Sequence, residues 1–242
     1  VEEKPEVRKA GGVYYTPTYI VDYIVASTVG KLLEGKTPQE AGGMTAAWRS
    51  SKTLRPLAVL DPACGSGSFL IVAYQFLLDW YLKQYTEADA PEKHARGANP
   101  RVYQFRNGDW RLTSSERKRI LLTHIYGVDI DYQAVEVTKL SLLLKVLEGE
   151  TEETLQSQHR LFHKERALPD LTGSIKCGNS LIGTDFYNGQ QLSLLDEDER
   201  LRVNVFDWDG KDGFHAIMHA GGFDAVIGNP PYVLLQDEFR ND

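Results

Sequence analysis

Apolar residues along this chain recur with two periods, and the switch from one to the other is repeated. Leu57-Ala58-Val59-Leu60 is a short continuous apolar run ending at Asp61; a turn of small residues, Pro62-Ala63-Cys64-Gly65-Ser66-Gly67, follows, and apolar positions then resume at helical spacing. That order reads as buried strand, tight turn and helix, the helix running from about Ser68 to Tyr85. Its Leu, Phe, Tyr and Trp content predicts burial on more than one side. Ile125 to Val128 is a second strand, followed by a helix with Ala134, Val137, Leu140, Leu144 and Leu147 on its predicted buried side. Leu171 to Cys177 supplies a third strand. A fourth apolar run, from Phe223, stops at Asn229 because the two prolines after it cannot donate to a strand ladder. Ahead of all these, Thr16 is the predicted N-cap and Pro17 the first residue of a helix. Ile20, Val21, Ile24, Val25, Val29 and Leu32 recur along it, and Gly35 closes it. Strands alternating with helices predict an α/β fold with a doubly wound, mostly parallel sheet.

The stretches between these elements carry less pattern. Thr37 to Lys52 is a polar connector to which no role attaches, and Glu87 to Arg111 is an excursion from the sheet. Thr113-Ser114-Ser115-Glu116 has capping-box spacing and starts a helix carrying Arg117, Lys118 and Arg119. Those three form a solvated face or, alternatively, a phosphate contact. Asp131 caps the helix after the second strand, and Glu148 to Lys164 is a linker or arm. Tyr187 to Gly222 is acidic and irregular apart from Val203 to Trp208, where Phe206 and Trp208 serve as packing residues.

Composition narrows the picture. At 242 residues the chain is long enough for one large domain with insertions. Lysine and arginine total 27 against 34 acidic residues, a net charge of −7, so there is no broad basic surface. Any electrostatic footprint for nucleic acid is local or lies on another segment. Apolar runs are broken by charges before a membrane-spanning length, and no signal segment opens the chain, which points to a cytoplasmic protein that does not meet a membrane. Cys64 and Cys177 have no metal-ligand spacing and form no framework; neither is expected to be catalytic, and no metal is predicted. Val1 to Gly11 is polar and starts without Met, as in a piece of something longer.

Candidate chemistry sits at the strand ends. Gly65 and Gly67 let the backbone approach a ligand at the N-terminus of the following helix, or else make an ordinary strand-to-helix turn. Asp129, at the carboxyl end of the second strand, stands where a dinucleotide fold places the acid that receives ribose hydroxyls; the excursion accounts for its distance from the glycines. Asn229-Pro230-Pro231-Tyr232 combines a rigid amide with an aromatic side chain, suited to holding a flat nitrogen heterocycle, or is a proline-terminated strand with a packed Tyr.

Taken together, Asp61 to Phe69 and Asn229-Pro230-Pro231-Tyr232 resemble the cofactor motif and catalytic tetrapeptide of S-adenosylmethionine-dependent adenine-N6 DNA methyltransferases. Gly12-Val13-Tyr14-Tyr15-Thr16-Pro17 resembles the cofactor motif this subgroup places upstream. Ile125 to Asp131 and Lys176 to Gly183 are most similar to the methyltransferase part of fused restriction-modification enzymes of the Eco57I type. The resemblance implies a Rossmann-like class I methyltransferase fold, with an N-terminal helical cofactor-covering segment over 1–53 and the cofactor-binding domain over 54–242, cut short after its fourth strand. It implies S-adenosylmethionine against Tyr15, Thr16, Pro17, Asp61, Pro62, Ala63, Gly65, Gly67, Asp129, Ile130, Asn179 and Ser180. Within that set Asp129 takes the ribose, Asp61 the methionyl ammonium, and Asn179 the adenine amine unless it simply turns the chain.

The implied reaction is methyl transfer to the exocyclic amine of an adenine flipped from double-stranded DNA. Asn229 and the carbonyl of Pro230 accept the amine hydrogens, and Tyr232, after Pro231, stacks on the base. A glutamine-directed protein methyltransferase and a non-catalytic DNA-sensing module are the alternatives. The resemblance also implies that sequence recognition, and a nuclease region, lie elsewhere on the same polypeptide.

Overall fold

The computed structural model describes residues 16–43, 55–149, 168–187 and 203–230. Four strands, β1 (Val59–Asp61), β4 (Ile125–Asp129), β5 (Ile175–Cys177) and β6 (Ala225–Val226), form one parallel sheet in the order β5-β4-β1-β6. The short strands β2 (Val102–Gln104) and β3 (Trp110–Leu112) pair separately as an antiparallel hairpin inside the predicted excursion. The chain thus builds outward from β1 through β4 to β5, then returns to the other side of β1 for β6. The sheet predicted from the alternating pattern is the one observed. The third strand is shorter than predicted, because Ser174 and Ile175 donate to the carbonyl of Leu171 in a turn before pairing begins.

Alternation along the strands sorts residues onto two faces. Val59, Ile125 and Ile175 face a helical layer and join its main core cluster. Leu60 and Val128 face the other way, onto Phe206 and Phe214, with Tyr126, Trp208 and Phe223 packed around them. Phe206 meets Trp208 at 4.8 Å and Phe214 meets Phe223 at 5.3 Å, both edge to face. The packing role predicted for Phe206 and Trp208 is the one they play. Below Phe214, the short helix α7 (His215–His219) leads back toward β6.

The helical layer begins with α1 (Thr18–Val25), which continues through a π-helical turn, Ala26–Gly30, into Lys31–Leu33. Val21, Val25, Val29 and Leu33 are its buried stripe. A stripe repeating every fourth residue drifts about 40° per repeat on a regular α-helix, and the wider π turn returns it to the core. The N-cap is Pro17, whose carbonyl receives Ile20 and Val21 N–H, and not Thr16, one residue earlier as predicted. The connector given no role contains α2 (Pro38–Ala41), started by a capping box between Thr37 and Glu40.

Helix α3 (Ser68–Thr86) is buried along a wide face that includes Phe69, Leu70, Tyr74, Leu77, Tyr81 and Tyr85, as its composition predicted. After the small helix α4 (Pro91–His94) and the hairpin comes α5 (Ser114–His124), whose Thr113 hydroxyl receives the Glu116 N–H. The solvated or phosphate-binding face predicted for its arginines is replaced by internal pairing. The fully buried Glu116 carboxylate receives Arg119 at 2.6 and 2.9 Å, Tyr85 at 2.8 Å, and Arg101. Arg117 donates to the carbonyls of Lys145 and Glu148, satisfying the end of the next helix. At the end of α5, His124 Nδ1 meets the Leu57 carbonyl at 2.7 Å and Nε2 meets Tyr81 Oη at 2.8 Å. Burial pushes this imidazole down to about 4, so it is neutral. A carbonyl only accepts, which places its proton on Nδ1 and ties the entry of β1 to α3 and α5.

Helix α6 (Tyr132–Leu147) starts at the predicted Asp131 cap, whose carboxylate receives Gln133 N–H. Its predicted buried side is corrected: Val137, Leu140 and Leu144 are exposed, and Val135, Thr138, Leu142 and Val146 face the core. The pattern missed this phase because one member of the buried line is a threonine whose hydroxyl has a partner in the tertiary structure.

Candidate active site

Because the sheet is parallel, the carboxyl ends of β1, β4, β5 and β6 all open on one side, and the order reverses at β1. Such a reversal separates the loops leaving neighbouring strands and makes a crevice. The sequence motifs converge there. From β1, Asp61 leads into the glycine turn; from β4 comes Asp129; from β5, Gly178 to Ser180; from β6, Gly228 to Pro230.

Asp129 holds these loops together. Its Oδ2 receives the Gly65 N–H at 2.7 Å, its Oδ1 receives the Asp131 N–H at 2.9 Å, and its own carbonyl receives the Gly178 N–H at 2.8 Å. One carboxylate therefore fixes the glycine turn and the start of α6, two regions the sequence reading connected only through a shared ligand. Gly65 has φ +53 and nothing within 4 Å in the direction of a side chain, so the turn is open there. Gly67 has a different reason: at φ +85, a Cβ would lie 2.9 Å from the Thr138 methyl group. On the side a Cβ would occupy, Gly67 packs against α6, and the Thr138 hydroxyl donates to the Gly65 carbonyl at 2.7 Å.

Asp61 is buried, with Oδ1 receiving the Ala63 N–H at 3.1 Å across Pro62. Burial raises its carboxyl to about 7, and the nearby Asp129 charge adds to the rise. Gly228 lies directly against it: a Cβ at that position would be 2.6 Å from Asp61 Oδ1. The loop after β6 and the loop after β1 are thus in contact, through a glycine the sequence reading did not single out. Cys64, within the glycine turn and packed on Gly127 of β4, is buried, with its thiol pushed up to about 12 mainly by burial and so protonated and unreactive near neutrality.

Asn229 is brought to the residue that precedes Pro17 and α1. Its Nδ2 donates to Thr16 Oγ1 at 3.0 Å, across 213 positions. The hydroxyl predicted to cap α1 is instead at the Asn229 loop. Pro17 and Pro230 are exposed beside them. Tyr15, Pro231 and Tyr232 lie outside the described residues.

Asn179 turns the chain. Its side-chain oxygen receives the Leu181 N–H at 3.1 Å and its backbone N–H donates to Asn204. Ser180 is half-buried, and its carbonyl receives Trp208 Nε1 at 3.3 Å. Ile130 and Leu181, exposed at 52% and 94%, present apolar surface at the ends of β4 and β5. Asn204 was missed by the sequence reading. It adopts φ +44, the left-handed region that Asn enters more readily than most residues, and donates to the Ile130 carbonyl at 3.4 Å. Asp224 was missed as well: its carboxylate receives Arg55 at 2.6 Å and the Ala58 N–H at 2.8 Å, aligning β6 with β1. An acid just ahead of a strand was the available signal. A concavity of about 670 Å³ beside Tyr132, Leu140 and Leu171 includes none of these candidate residues. Among the described residues, no cluster of three or more His, Cys, Asp or Glu is placed for a metal ion, and no helix is long and apolar enough to cross a membrane.

A parallel sheet reversing at β1, a glycine turn tied to the acid of the next strand, and an Asn-Pro loop reaching Asp61 through Gly228 define an α/β domain of the doubly wound class. Residues 4–167 match the N-6 DNA Methylase family model, and residues 123–241 match that of the Eco57I restriction-modification methylase. The chain belongs to the N-6 DNA methylase family, whose reaction requires a methyl donor.

It is 31% identical over 224 residues to the type II restriction enzyme and methyltransferase RM.Eco57I of Escherichia coli, covering 93% of this chain and 18% of that protein. It is 22% identical over 236 residues to the adenine-specific methyltransferase PglX of Streptomyces coelicolor, covering 97% of this chain and 16% of that one. The chain therefore spans less than a fifth of the length of these relatives. A solved structure of a nuclease-deletion mutant of the Type ISP restriction-modification enzyme LlaGI, in complex with a DNA substrate mimic, aligns over 93% of this chain and 13% of that one, with TM-score 0.42 and 16% identity. The fold assignment rests on strand order and register.

Proposed function

We propose that this chain is the cofactor-binding and catalytic part of a DNA adenine-N6 methyltransferase that uses S-adenosylmethionine. The observation that carries the reading is the meeting of the Asn229 loop with the Asp61 turn, through Gly228, at the reversal point of the sheet.

The residues present fit the cofactor. Gly65 leaves open the space a Cβ would fill, and the Asp129 carboxylate stands beside it to receive ribose hydroxyls. Asp61, held near its titration point by burial, is suited to a cationic ammonium, which favours its ionised form. Ile130 supplies apolar surface for a flat ring at the end of β4, with Asn179 and Ser180 at the end of β5, and the start of α1 at Pro17 lies at the opposite corner, beside the Asn229 loop. Bound there, the cofactor supplies an electrophilic methyl group on a sulfonium.

The chain's own residues supply the rest. The exocyclic amine of adenine is a poor nucleophile because its lone pair is delocalised into the ring. Asn229 Oδ1 and the Pro230 carbonyl accept its two hydrogens, favouring a pyramidal nitrogen. Their stabilisation grows as positive charge develops on that nitrogen. No side chain takes the proton beforehand. Pro231 stiffens the loop, and Tyr232 stacks on a base that has left the duplex. A net charge of −7 supports placing sequence recognition, and any nuclease region, on other parts of the polypeptide.

The test is methyl transfer by the complete polypeptide from tritiated cofactor to mixed-sequence DNA, followed by digestion to nucleosides. N6-methyl-2′-deoxyadenosine as the labelled product is expected. Label on protein glutamine, or none with cofactor bound, would replace the reading with a protein methyltransferase or a non-catalytic sensor.

A further inference from the structure

We propose that Thr16 is a positioning residue for the Asn229 amide, so that the N-terminal segment orients the catalytic loop as well as covering the cofactor. The proposal rests on the adenine-N6 reading above. An asparagine amide has a donor end and an acceptor end. Only the oxygen end can receive an amine hydrogen. If the amide turns over, its NH₂ faces the substrate amine and two donors oppose each other.

The geometry supplies what the correct orientation needs. Asn229 Nδ2 lies 3.0 Å from Thr16 Oγ1, which takes a hydrogen from the nitrogen end and turns the oxygen end away from Thr16. A hydroxyl can also donate, so Thr16 alone would tolerate either orientation. With the substrate amine offering hydrogens from the other side, only nitrogen toward Thr16 satisfies both ends. A hydrogen bond at the amide nitrogen also makes the amide oxygen a stronger acceptor.

Thr16 is a firm support. The next residue is Pro17, with its φ at −55°, and α1 follows immediately, anchored through buried Val21 and Val25. On the other side of Asn229, Gly228 is packed against buried Asp61. The amide is therefore held from both the cofactor turn and the N-terminal segment.

Single-turnover methylation by the complete polypeptide separates this role from a direct cofactor contact. Thr16→Val removes the hydroxyl at nearly constant volume and should slow the chemical step roughly three- to tenfold, the usual worth of one hydrogen bond. Cofactor affinity by calorimetry should be unchanged, and Thr16→Ser should restore the rate to within about twofold. In an Asn229→Ala background, Thr16→Val should cost nothing further, because no amide remains to orient.

Thr16→Ala serves as a second variant if the Val protein does not fold. A Thr16 variant that weakens cofactor binding but turns over normally at saturation, or losses that multiply in the double variant, would overturn the proposal. Full turnover by Asn229→Ala sinks the adenine-N6 reading itself; an inactive Asn229→Ala beside a fully active Thr16→Val sinks only the role of Thr16.

Discussion

Gly228→Ala is the sharpest probe of how the two loops of the crevice meet. The added methyl carbon would stand 2.6 Å from Asp61 Oδ1, 3.1 Å from Cγ and 3.4 Å from Oδ2, all inside or near the limit of contact. Asp61 has little room to withdraw, since it is buried and receives the Ala63 N–H. Overpacking of this kind costs about 1–3 kcal/mol. The backbone at φ +154, a conformation L residues rarely adopt, adds strain of about 1–3 kcal/mol for a residue with a Cβ. The expected loss is therefore about 2–6 kcal/mol, a large share of a typical domain stability of about 5–15 kcal/mol. Gly35→Ala is the control, because Gly35 also has positive φ, +71, but nothing within 4 Å. It should show the cost of a Cβ in the left-handed region without any collision, about 1–2 kcal/mol. Urea unfolding of the complete polypeptide, followed by the fluorescence change of this domain, measures both. Asp61→Ala removes the atoms that collide, so in that background Gly228→Ala should lose the overpacking share of about 1–3 kcal/mol and keep only its backbone strain. Equal losses for Gly228→Ala and Gly35→Ala, or the same Gly228→Ala loss with and without the Asp61 side chain, would show that the loops do not touch as described.

Asp61 should also make stability depend on pH. Its folded value of about 7 lies above the ordinary 3.8, so the folded state holds this proton more tightly. The contribution is complete below about 4 and lost as pH rises through about 7, amounting to about 4 kcal/mol at most. Asp61→Asn should flatten that part of the profile in urea titrations between pH 4 and 8. Thr138→Val should cost about 1 kcal/mol, since it keeps the packing against Gly67 and loses only the bond to the Gly65 carbonyl; an unchanged urea midpoint would remove Thr138 from the support of the turn. Glu116→Ala should cost about 3–5 kcal/mol, because it strands Arg119 and Arg101 beside a buried site. A thermal melt unaltered by that change would return α5 to the solvated face expected from sequence.

Much of the local structure was legible in residue order because it depends on neighbours no more than four positions apart. The strand, turn and helix around Asp61 to Thr86, the caps at Thr113 and Asp131, and the end of the fourth strand before Pro230 are of this kind. So was the candidate set, since a glycine turn, an acid at a strand end and an Asn-Pro-Pro-Tyr loop carry their chemistry in their residue types. What tertiary structure alone decided is how distant residues share space. Gly65 and Asp129 are 64 positions apart, Gly65 and Thr138 are 73, and Thr16 and Asn229 are 213. A hydroxyl, a carboxylate or a guanidinium looks alike in sequence whether it faces water or a buried partner. That is why the pattern turned α6 to the wrong face, left Arg117 and Arg119 in solvent and made Thr16 a cap: each outcome was set by a polar partner that only the folded chain brings within reach.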